Sequence, residues 1–478
     1  MKQPISWFYL VLLSAVTALA QPAMRTMSSP VNHPMINAWL PFINPDGNSL
    51  LFLSDNTEGK VPKLFFTSRT GADWKDPVEL PRGLNSPVNF RDGFSLSPDG
   101  RTIYASSSRP GGVGGYDIVG FSAANPAEDG KNIGAPVNSK EHEASFVLTT
   151  DGNTAYFMRC ATMNPGGAAG CRIMTATRKN NSSLWETPAE LPPSINAGNS
   201  QFPRILADGT TLFFASDKHT PAKGGLDLYM TSRTDAGWSD PIPLDFLNTE
   251  GDDVMVSVQA AGRYATSAIR TNGKFQLTEV PFPAEVKPVT VMKLLGSITG
   301  HPKPDGFYVS LLSGTTGKPV ATVRPDAEGN FSLYLTGGKR HLLVIDPSED
   351  GGPCFIRNYD LRTGSVQARE RLSAELPPLG AASAIDLTGI HFEEGRPDPV
   401  SMAMVSRIQR LMRNNPGMAF VLNAGPDLPA DSSGPGELLD QTAEALIKFL
   451  KDRSLANPIT ISRTDSAAGS MVLRVGGN

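Results

Sequence analysis

Residues 97–118 read SPDGRTIYASSSRPGGVGGYDI, which predicts a strand end, a tight turn, a second strand, a glycine-rich loop and a third strand. The Asp99-Gly100 pair suits a tight hairpin turn, because glycine adopts a positive φ without steric cost. The turn recurs with its glycine at positions 47, 152, 209 and 262, so the steps between turns are 53, 52, 57 and 53 residues. A nearly fixed period of this size predicts a repeat architecture.

Five units therefore follow one another between residues 31 and 284. Each opens on an asparagine, and these are Asn32, Asn85, Asn138, Asn196 and Asn248. Three units close on similar segments, which read WKDPVEL at 74–80, WETPAEL at 185–191 and WSDPIPL at 238–244. Proline suits an outermost edge strand, where a missing N–H costs no ladder hydrogen bond. Four short strands per unit predict a five-bladed β-propeller over 31–284, whereas a two-sheet sandwich would not require five similar units.

The fifth unit lacks both the aspartate of the turn and the Gly-Gly pair before the third strand. We expect it to form the closing blade. Its fourth strand comes either from residues 287–294 or from the N-terminal leader, and the sequence leaves this open. Residues 21–30 are predicted to be an unstructured leader.

The repeat resembles the TolB-type propeller repeat of bacterial envelope proteins, on the PDG turn and the GGYDI segment quoted above. This resemblance covers about half of the chain. It implies an exported propeller that binds other envelope proteins.

The length, the net charge and the N-terminal sequence limit the classes of protein to which this chain can belong. A chain of 478 residues with net charge −4 predicts several domains and excludes a nucleic-acid partner, which needs a concentrated basic surface. Residues 1–20 are predicted to be a signal peptide, since Lys2 precedes an apolar run that ends at Ala18-Leu19-Ala20. No further apolar stretch is long enough to predict a transmembrane span in the mature chain. We expect an exported protein in the periplasm, associated with the outer membrane or the cell wall.

The three cysteines fit an oxidising compartment. Cys160 and Cys171 flank the glycine-rich loop of the third unit, where antiparallel strands would bring them together as a structural disulfide. A metal site is the alternative, but no second pair of Cys or His stands nearby. Cys354 is left over and is predicted to be buried.

The repeat pattern ends before residue 290. Alternating apolar residues and a glycine-centred turn in residues 290–350 predict a small β-sandwich. The segment DAEGNFSL at 326–333 resembles the core of the carboxypeptidase-regulatory-like module, which implies a spacer or interaction domain. Residues 351–383 are predicted to be a linker or a sandwich edge.

Residues 384–478 alternate strands with helices and predict a compact α/β domain. Apolar periodicity places helices at 400–414 and 441–450, bracketed by strands at 389–392, 419–422 and 459–461. This part is similar to the OmpA-like peptidoglycan-binding domain, whose aspartate and arginine hold the ammonium and carboxylate of the stem peptide. The matching positions here are Asp427 and Thr442, so this part resembles a degenerate relative that has lost the cation, and the alternative for Asp427 is a plain turn residue.

No catalytic set, metal site or cofactor motif is predicted. The Glu141-His142-Glu143 stretch is interpreted as a solvated loop. Four aspartates that recur between units are interpreted as turn or cap residues; these are Asp55, Asp117, Asp217 and Asp227. The leading hypothesis is a non-catalytic envelope scaffold or binding protein, with envelope proteins on the propeller and peptidoglycan as a candidate ligand of the C-terminal domain.

Two alternatives remain open from the sequence. One is a glycan-active lyase or hydrolase that uses the propeller funnel. Its lining would include Arg91, Asp92, Glu141, His142, Glu143, Arg204, Asp252 and Asp253. The other is a secreted ligand-binding protein whose C-terminal domain is vestigial.

Overall fold

A computed structural model describes residues 23–33, 35–56, 61–164, 166–180, 183–349, 351–363, 366–380, 383–425, 439–453, 455–462 and 470–476. The side chains of residues 91, 92, 439 and 440 are not described. The predicted signal peptide and Asp427 lie outside these residues. Within them the protein is mainly β, with two α-helices near the C-terminus.

The first half of the chain forms five successive antiparallel sheets. Strand β1 (Arg25–Thr26) comes first in the chain. The first sheet contains β2 (Ala38–Ile43), β3 (Ser49–Ser54), β4 (Lys63–Ser68) and β5 (Val78–Glu79). The second contains β6 (Asn89–Leu96), β7 (Thr102–Ser107), β8 (Asp117–Ser122) and β9 (Lys131–Asn132). The third contains β10 (His142–Leu148), β11 (Thr154–Asn164), β12 (Gly167–Thr177) and β13 (Ala189–Glu190).

The fourth and fifth sheets follow the same plan. The fourth contains β14 (Gln201–Ile205), β15 (Thr211–Ser216), β16 (Asp227–Thr234), β17 (Gly237–Trp238) and β18 (Ile242–Pro243). The fifth contains β19 (Ser257–Val258), β20 (Tyr264–Thr271) and β21 (Lys274–Pro281). Neighbouring sheets meet through their first strands, β2 on β6, β6 on β10 and β10 on β14, and β2 also contacts β20 and β21 of the fifth sheet. One hydrophobic core with residues from all five sheets runs from Leu40 to Phe282, so the arrangement is propeller-like.

The recurring turns have the predicted geometry. The five turn glycines all adopt positive φ, between 62° for Gly262 and 74° for Gly100. In the first four turns the aspartate side chain accepts a hydrogen bond from the N–H two residues on, as Asp99 does from Arg101. Each turn joins the first and second strands of its sheet. The local sequence therefore sets the hairpin without help from distant residues.

The five repeated asparagines share one interaction. Each accepts the backbone N–H of one residue in the third strand of the preceding sheet and donates to the carbonyl of the same residue. The pairs are Asn85 with Leu64, Asn138 with Ile118, Asn196 with Ile173, Asn248 with Leu228 and Asn32 with Leu277. We call this interaction the asparagine clamp. The clamp holds the segment that follows a sheet against the third strand of that same sheet.

The leader closes the fifth sheet. Strand β1 pairs with β21, and the Met27 N–H donates to Leu277 O at 2.9 Å. The prediction of an unstructured leader over 21–30 is wrong for Arg25–Thr26, because the free edge of β21 supplies a partner. The alternative, a fourth strand from 287–294, is also wrong, since Val291 begins a strand of another sheet.

The middle of the chain is a two-sheet sandwich. Its strands are β22 (Val291–Thr299), β23 (Phe307–Ser313), β24 (Pro319–Val323), β25 (Asn330–Thr336), β26 (Arg340–Pro347), β27 (Phe355–Asp360) and β28 (Arg369–Glu375). The two sheets have the orders β25-β22-β28 and β24-β23-β26-β27. The segment for which the sequence left open a linker or a sandwich edge thus supplies an edge strand to each sheet.

The C-terminal part builds one sheet with two helices. Its elements are β29 (Ala384–Asp386), β30 (Phe392–Glu393), β31 (Arg396–Pro397), α1 (Pro399–Asn414), β32 (Phe420–Ala424), α2 (Leu439–Lys451), β33 (Ile459–Ser462) and β34 (Met471–Val475). The sheet order is β29-β34-β32-β33. The strand expected at 389–392 lies earlier, at Ala384–Asp386, because the chain turns at Gly389 with φ of 86°. Neither helix in the described part is long and apolar enough to cross a membrane.

Partly buried polar contacts and shared apolar cores join these three parts of the chain. Lys293 of β22 lies 3.2 Å from Asp46 of the first sheet, and the Val291 N–H donates to Ala260 O. Arg407 of α1 binds Asp346 of β26 at 2.7 Å. A shared hydrophobic core extends from Leu342 and Val344 of the sandwich to both C-terminal helices. The sandwich is therefore held on both sides.

The clamp generates a stability prediction. Replacing Asn138 with alanine leaves the N–H and carbonyl of Ile118 buried without their partners, so we expect the free energy of unfolding to fall by about 3 kcal/mol. Urea titration of the variant measures this. The matched control is Asn125→Ala in the loop that follows β8, where the loss of an exposed side chain should cost less than about 0.5 kcal/mol. Equal losses in the two variants would contradict the clamp.

The closure by β1 generates a second prediction. A chain that begins at Val31 lacks β1 and the buried Met27, whereas one that begins at Ala23 keeps both. We expect the shorter chain to lose about 2 kcal/mol of unfolding free energy, from the buried methionine and the lost pairing. Urea midpoints of the two chains provide the comparison, and identical midpoints would show that the leader does not close the sheet.

Candidate functional site

Glu143 is a structural residue rather than part of a solvated loop. It lies in β10, is fully buried, and accepts hydrogen bonds from the Arg159 Nε at 2.7 Å and the Ser139 N–H at 3.0 Å. Arg159 also donates to Val137 O. The solvated-loop interpretation is therefore wrong here, because a neighbouring strand supplies the counter-charge that permits burial.

The two residues before Glu143 are also held by local partners. Arg172 binds both carboxylate oxygens of Glu141, and this hydrogen bonding lowers the pKa of Glu141. The His142 Nδ1 accepts the Tyr116 N–H at 3.1 Å. Among the described residues no cluster of three or more His, Cys, Asp or Glu side chains is placed to hold a metal ion.

The recurring aspartates cap backbone N–H groups. Asp117 accepts from the N–H groups of Val113 and Gly114, and Asp227 accepts in the same way from Lys223 and Gly224. A Cβ on Gly114 would lie 2.0 Å from Ser139 O, which explains the glycine at this position. The interpretation of these aspartates as cap residues is confirmed.

The other two recurring aspartates fasten the first strands of their sheets. Asp55 accepts the Asn37 N–H at 2.6 Å, and Asp217 accepts the Asn199 N–H at 2.9 Å. Asn37 in turn accepts the Phe275 N–H of the fifth sheet. These carboxylates thus serve the connection between neighbouring sheets.

The acids proposed to line a funnel from the fifth unit are likewise engaged. Asp252 accepts the Leu226 N–H, and Asp253 accepts both the N–H and the hydroxyl of Thr249. Burial raises the pKa of Asp253 despite those hydrogen bonds. The side chains of Arg91 and Asp92 lie outside the described part.

Arg204 lies where four sheets meet. Its Nη1 donates to Pro203 O at 2.9 Å, and its Nη2 approaches Phe94 O of the second sheet at 3.3 Å. The same Nη2 lies 3.2 Å from the Met255 sulfur, and the guanidinium stacks on the Phe42 ring at 4.9 Å. Burial lowers the pKa of Arg204 to about 9, so the group still carries its charge at neutral pH. The Arg204 guanidinium therefore contacts groups from four of the five sheets.

A small cavity adjoins Arg204. Its volume is about 30 Å³, and its other walls are mainly apolar, with Phe42, Val147 and Phe213 among them. Ser257 also lines it, but its hydroxyl is bonded to the backbone of Ile43. A cavity of this size accommodates one or two waters and no larger ligand.

A larger groove lies between the sandwich edge and the C-terminal sheet. Its volume is about 440 Å³, within the range of roughly 300–1,000 Å³ typical of small-molecule sites. Ile356, Leu376 and Ile385 contribute apolar surface, and Glu375 and Arg474 contribute charge. No sequence pattern predicts this groove, because its walls come from strands that only the tertiary fold brings together.

Of the two candidate peptidoglycan residues, the structure describes only Thr442. Thr442 lies in the first turn of α2 and is buried. Asp427 lies outside the described residues.

Two of the three cysteines are paired, and the third lies in another part of the chain. Cys160 and Cys171 are directly paired residues of β11 and β12 and are joined by a disulfide. Cys354 is a buried free thiol whose pKa is raised to about 12 by burial, which makes it unreactive near neutral pH.

No protein-family model matches this sequence, and no curated protein sequence matches it. Solved structures with a similar fold include a putative TolB from Agrobacterium tumefaciens, at 16% identity and TM-score 0.31, over 54% of this chain and 73% of that one. An endo-arabinase from Bacteroides thetaiotaomicron matches at 15% identity and TM-score 0.36, over 52% and 96% of the two chains. An oligogalacturonate lyase in complex with manganese matches at 10% identity and TM-score 0.31, over 54% and 93%. At this level of similarity no activity or ligand transfers to this chain.

The neighbouring glutamates generate a paired prediction. Glu143→Gln leaves the largely buried Arg159 without its counter-charge, so we expect a loss of about 3 kcal/mol in unfolding free energy. Glu141 is 39% exposed, so Glu141→Gln should cost less than about 1 kcal/mol. Urea denaturation of both variants measures the contrast. A stable Glu143→Gln protein would show that the carboxylate is kept for another purpose.

Proposed function

We propose that this protein is a non-catalytic scaffold or binding protein of the bacterial cell envelope. The five sheets would form a five-bladed β-propeller over residues 31–284, completed by β1, that serves as a platform for envelope proteins. Residues 290–350 would form a carboxypeptidase-regulatory-like sandwich, extended by edge strands from 351–383. Residues 384–478 would form a degenerate OmpA-like domain that contacts peptidoglycan.

The observation that carries the proposal is the engagement of the candidate acids. Glu141 and Glu143 are bound to arginines, and Asp252 and Asp253 accept backbone N–H groups. A glycosidase needs two carboxylates that face a sugar across open space. These four acids contribute to the fold instead.

The size of the cavity beside Arg204 also favours a scaffold over a glycan-active enzyme. The cavity beside Arg204 is about 30 Å³, far smaller than the roughly 300–1,000 Å³ of typical ligand sites. The 440 Å³ groove lies elsewhere, between the sandwich and the C-terminal sheet. Binding surfaces are thus expected on the outside of the sheets and along that groove.

Two features support export and a fixed geometry. The Cys160–Cys171 disulfide suits an oxidising compartment such as the periplasm. Asp346 binds both Arg407 and Arg410, which fastens α1 to the sandwich. A scaffold benefits from such coupling, because partners bound to separate parts are then held at a set distance.

Sedimentation with purified peptidoglycan sacculi tests the wall contact. We expect the full chain to sediment with sacculi and Asp427→Ala to sediment at least about five-fold less, because a carboxylate is the natural partner of the stem-peptide ammonium. The matched control is Asp452→Ala, an exposed aspartate that follows α2. It should behave as the unaltered chain.

Two outcomes would overturn parts of this proposal. Equal sedimentation of the Asp427 and Asp452 variants would remove Asp427 from the binding site. A full chain that stays in the supernatant, and that cell fractionation finds in the medium, would favour the secreted ligand-binding alternative.

A further inference from the structure

Arg204 is a buried cation without a buried anion. Only 5% of the residue is exposed, and its hydrogen-bond acceptors among the described residues are neutral: two backbone carbonyls and a thioether. No described carboxylate forms an ion pair with it. Buried charges in proteins are normally paired, because desolvation of a lone ion is costly.

The Arg204 guanidinium also has an unsatisfied hydrogen-bond donor. A guanidinium carries five N–H groups, and the Nε–H of Arg204 has no acceptor although the atom is buried. The carbonyls and the Phe42 ring offset part of the charge, but none of them bears a full negative charge. The unpaired positive charge and the unbonded Nε–H of Arg204 therefore both favour a bound anion.

The cavity beside Arg204 sets the size of that anion. At about 30 Å³ it is too small for a sugar or a peptide carboxylate, yet larger than the minimum for one bound water. Its remaining walls are mainly apolar, among them Val147, Phe213 and Val258. Such a lining suits a weakly hydrated monoatomic anion better than a strongly hydrated one.

We propose that this cavity binds a single halide ion, chloride under cellular conditions, paired with Arg204 at the meeting point of the sheets. The ion would neutralise the charge that the first, second, fourth and fifth sheets surround. It would thereby stabilise the closed arrangement, whatever partner the outer surfaces bind.

Bromide provides a direct probe of the site. Crystals of the full chain soaked in sodium bromide should show an anomalous difference peak within about 3.5 Å of the Arg204 guanidinium. Density explained by water alone, with no anomalous signal at this position, would overturn the proposal.

Thermal unfolding gives an independent test in solution. The melting temperature of the full chain should rise with chloride concentration above that in sodium gluconate of equal ionic strength, since a ligand of the folded state stabilises it by mass action. Arg204→Met should abolish this difference, and the exposed control Arg101→Met should retain it. The same response to chloride in Arg204→Met as in the unaltered chain would reject the site. If Arg204→Met does not fold, the bromide peak in the unaltered chain decides.

Discussion

The asparagine clamp is the interaction on which the first half of the molecule depends. A single side-chain amide satisfies both backbone groups of one residue in a third strand, and it does so five times at buried or half-buried positions. Buried backbone groups must find partners, so each clamp fixes how the chain leaves a sheet. Asn32 applies the same interaction to Leu277, and the two ends of the array are thereby joined.

Several charged side chains of the five sheets serve this framework. Asp117 and Asp227 cap loop N–H groups, Glu143 balances Arg159, and Asp55 holds the end of a first strand. In the part of the chain that the structure describes, these carboxylates hold backbone N–H groups or an arginine, and they thereby fix loops and strands of the five sheets.

The rest of the chain is attached through mixed polar and apolar contacts. Lys293 reaches Asp46 across one boundary, and Asp346 receives Arg407 and Arg410 across the other. Both boundaries also bury apolar side chains, such as Val291 at the first and Leu342 at the second. These contacts leave between the sandwich and the C-terminal sheet a groove that is wide enough for a ligand.

The features that the sequence alone determined all depend on interactions between residues close together in the chain. The spacing of the turn glycines, the Asx turns and the helix over 400–414, found at Pro399–Asn414, depend on neighbours a few residues away. The tertiary structure decided the rest. Strand β1 pairs with a partner some 250 residues distant, Glu143 is buried only because Arg159 faces it, and Arg204 is enclosed only where four sheets converge. Pairing and burial depend on which surfaces meet in space, and no local pattern records that.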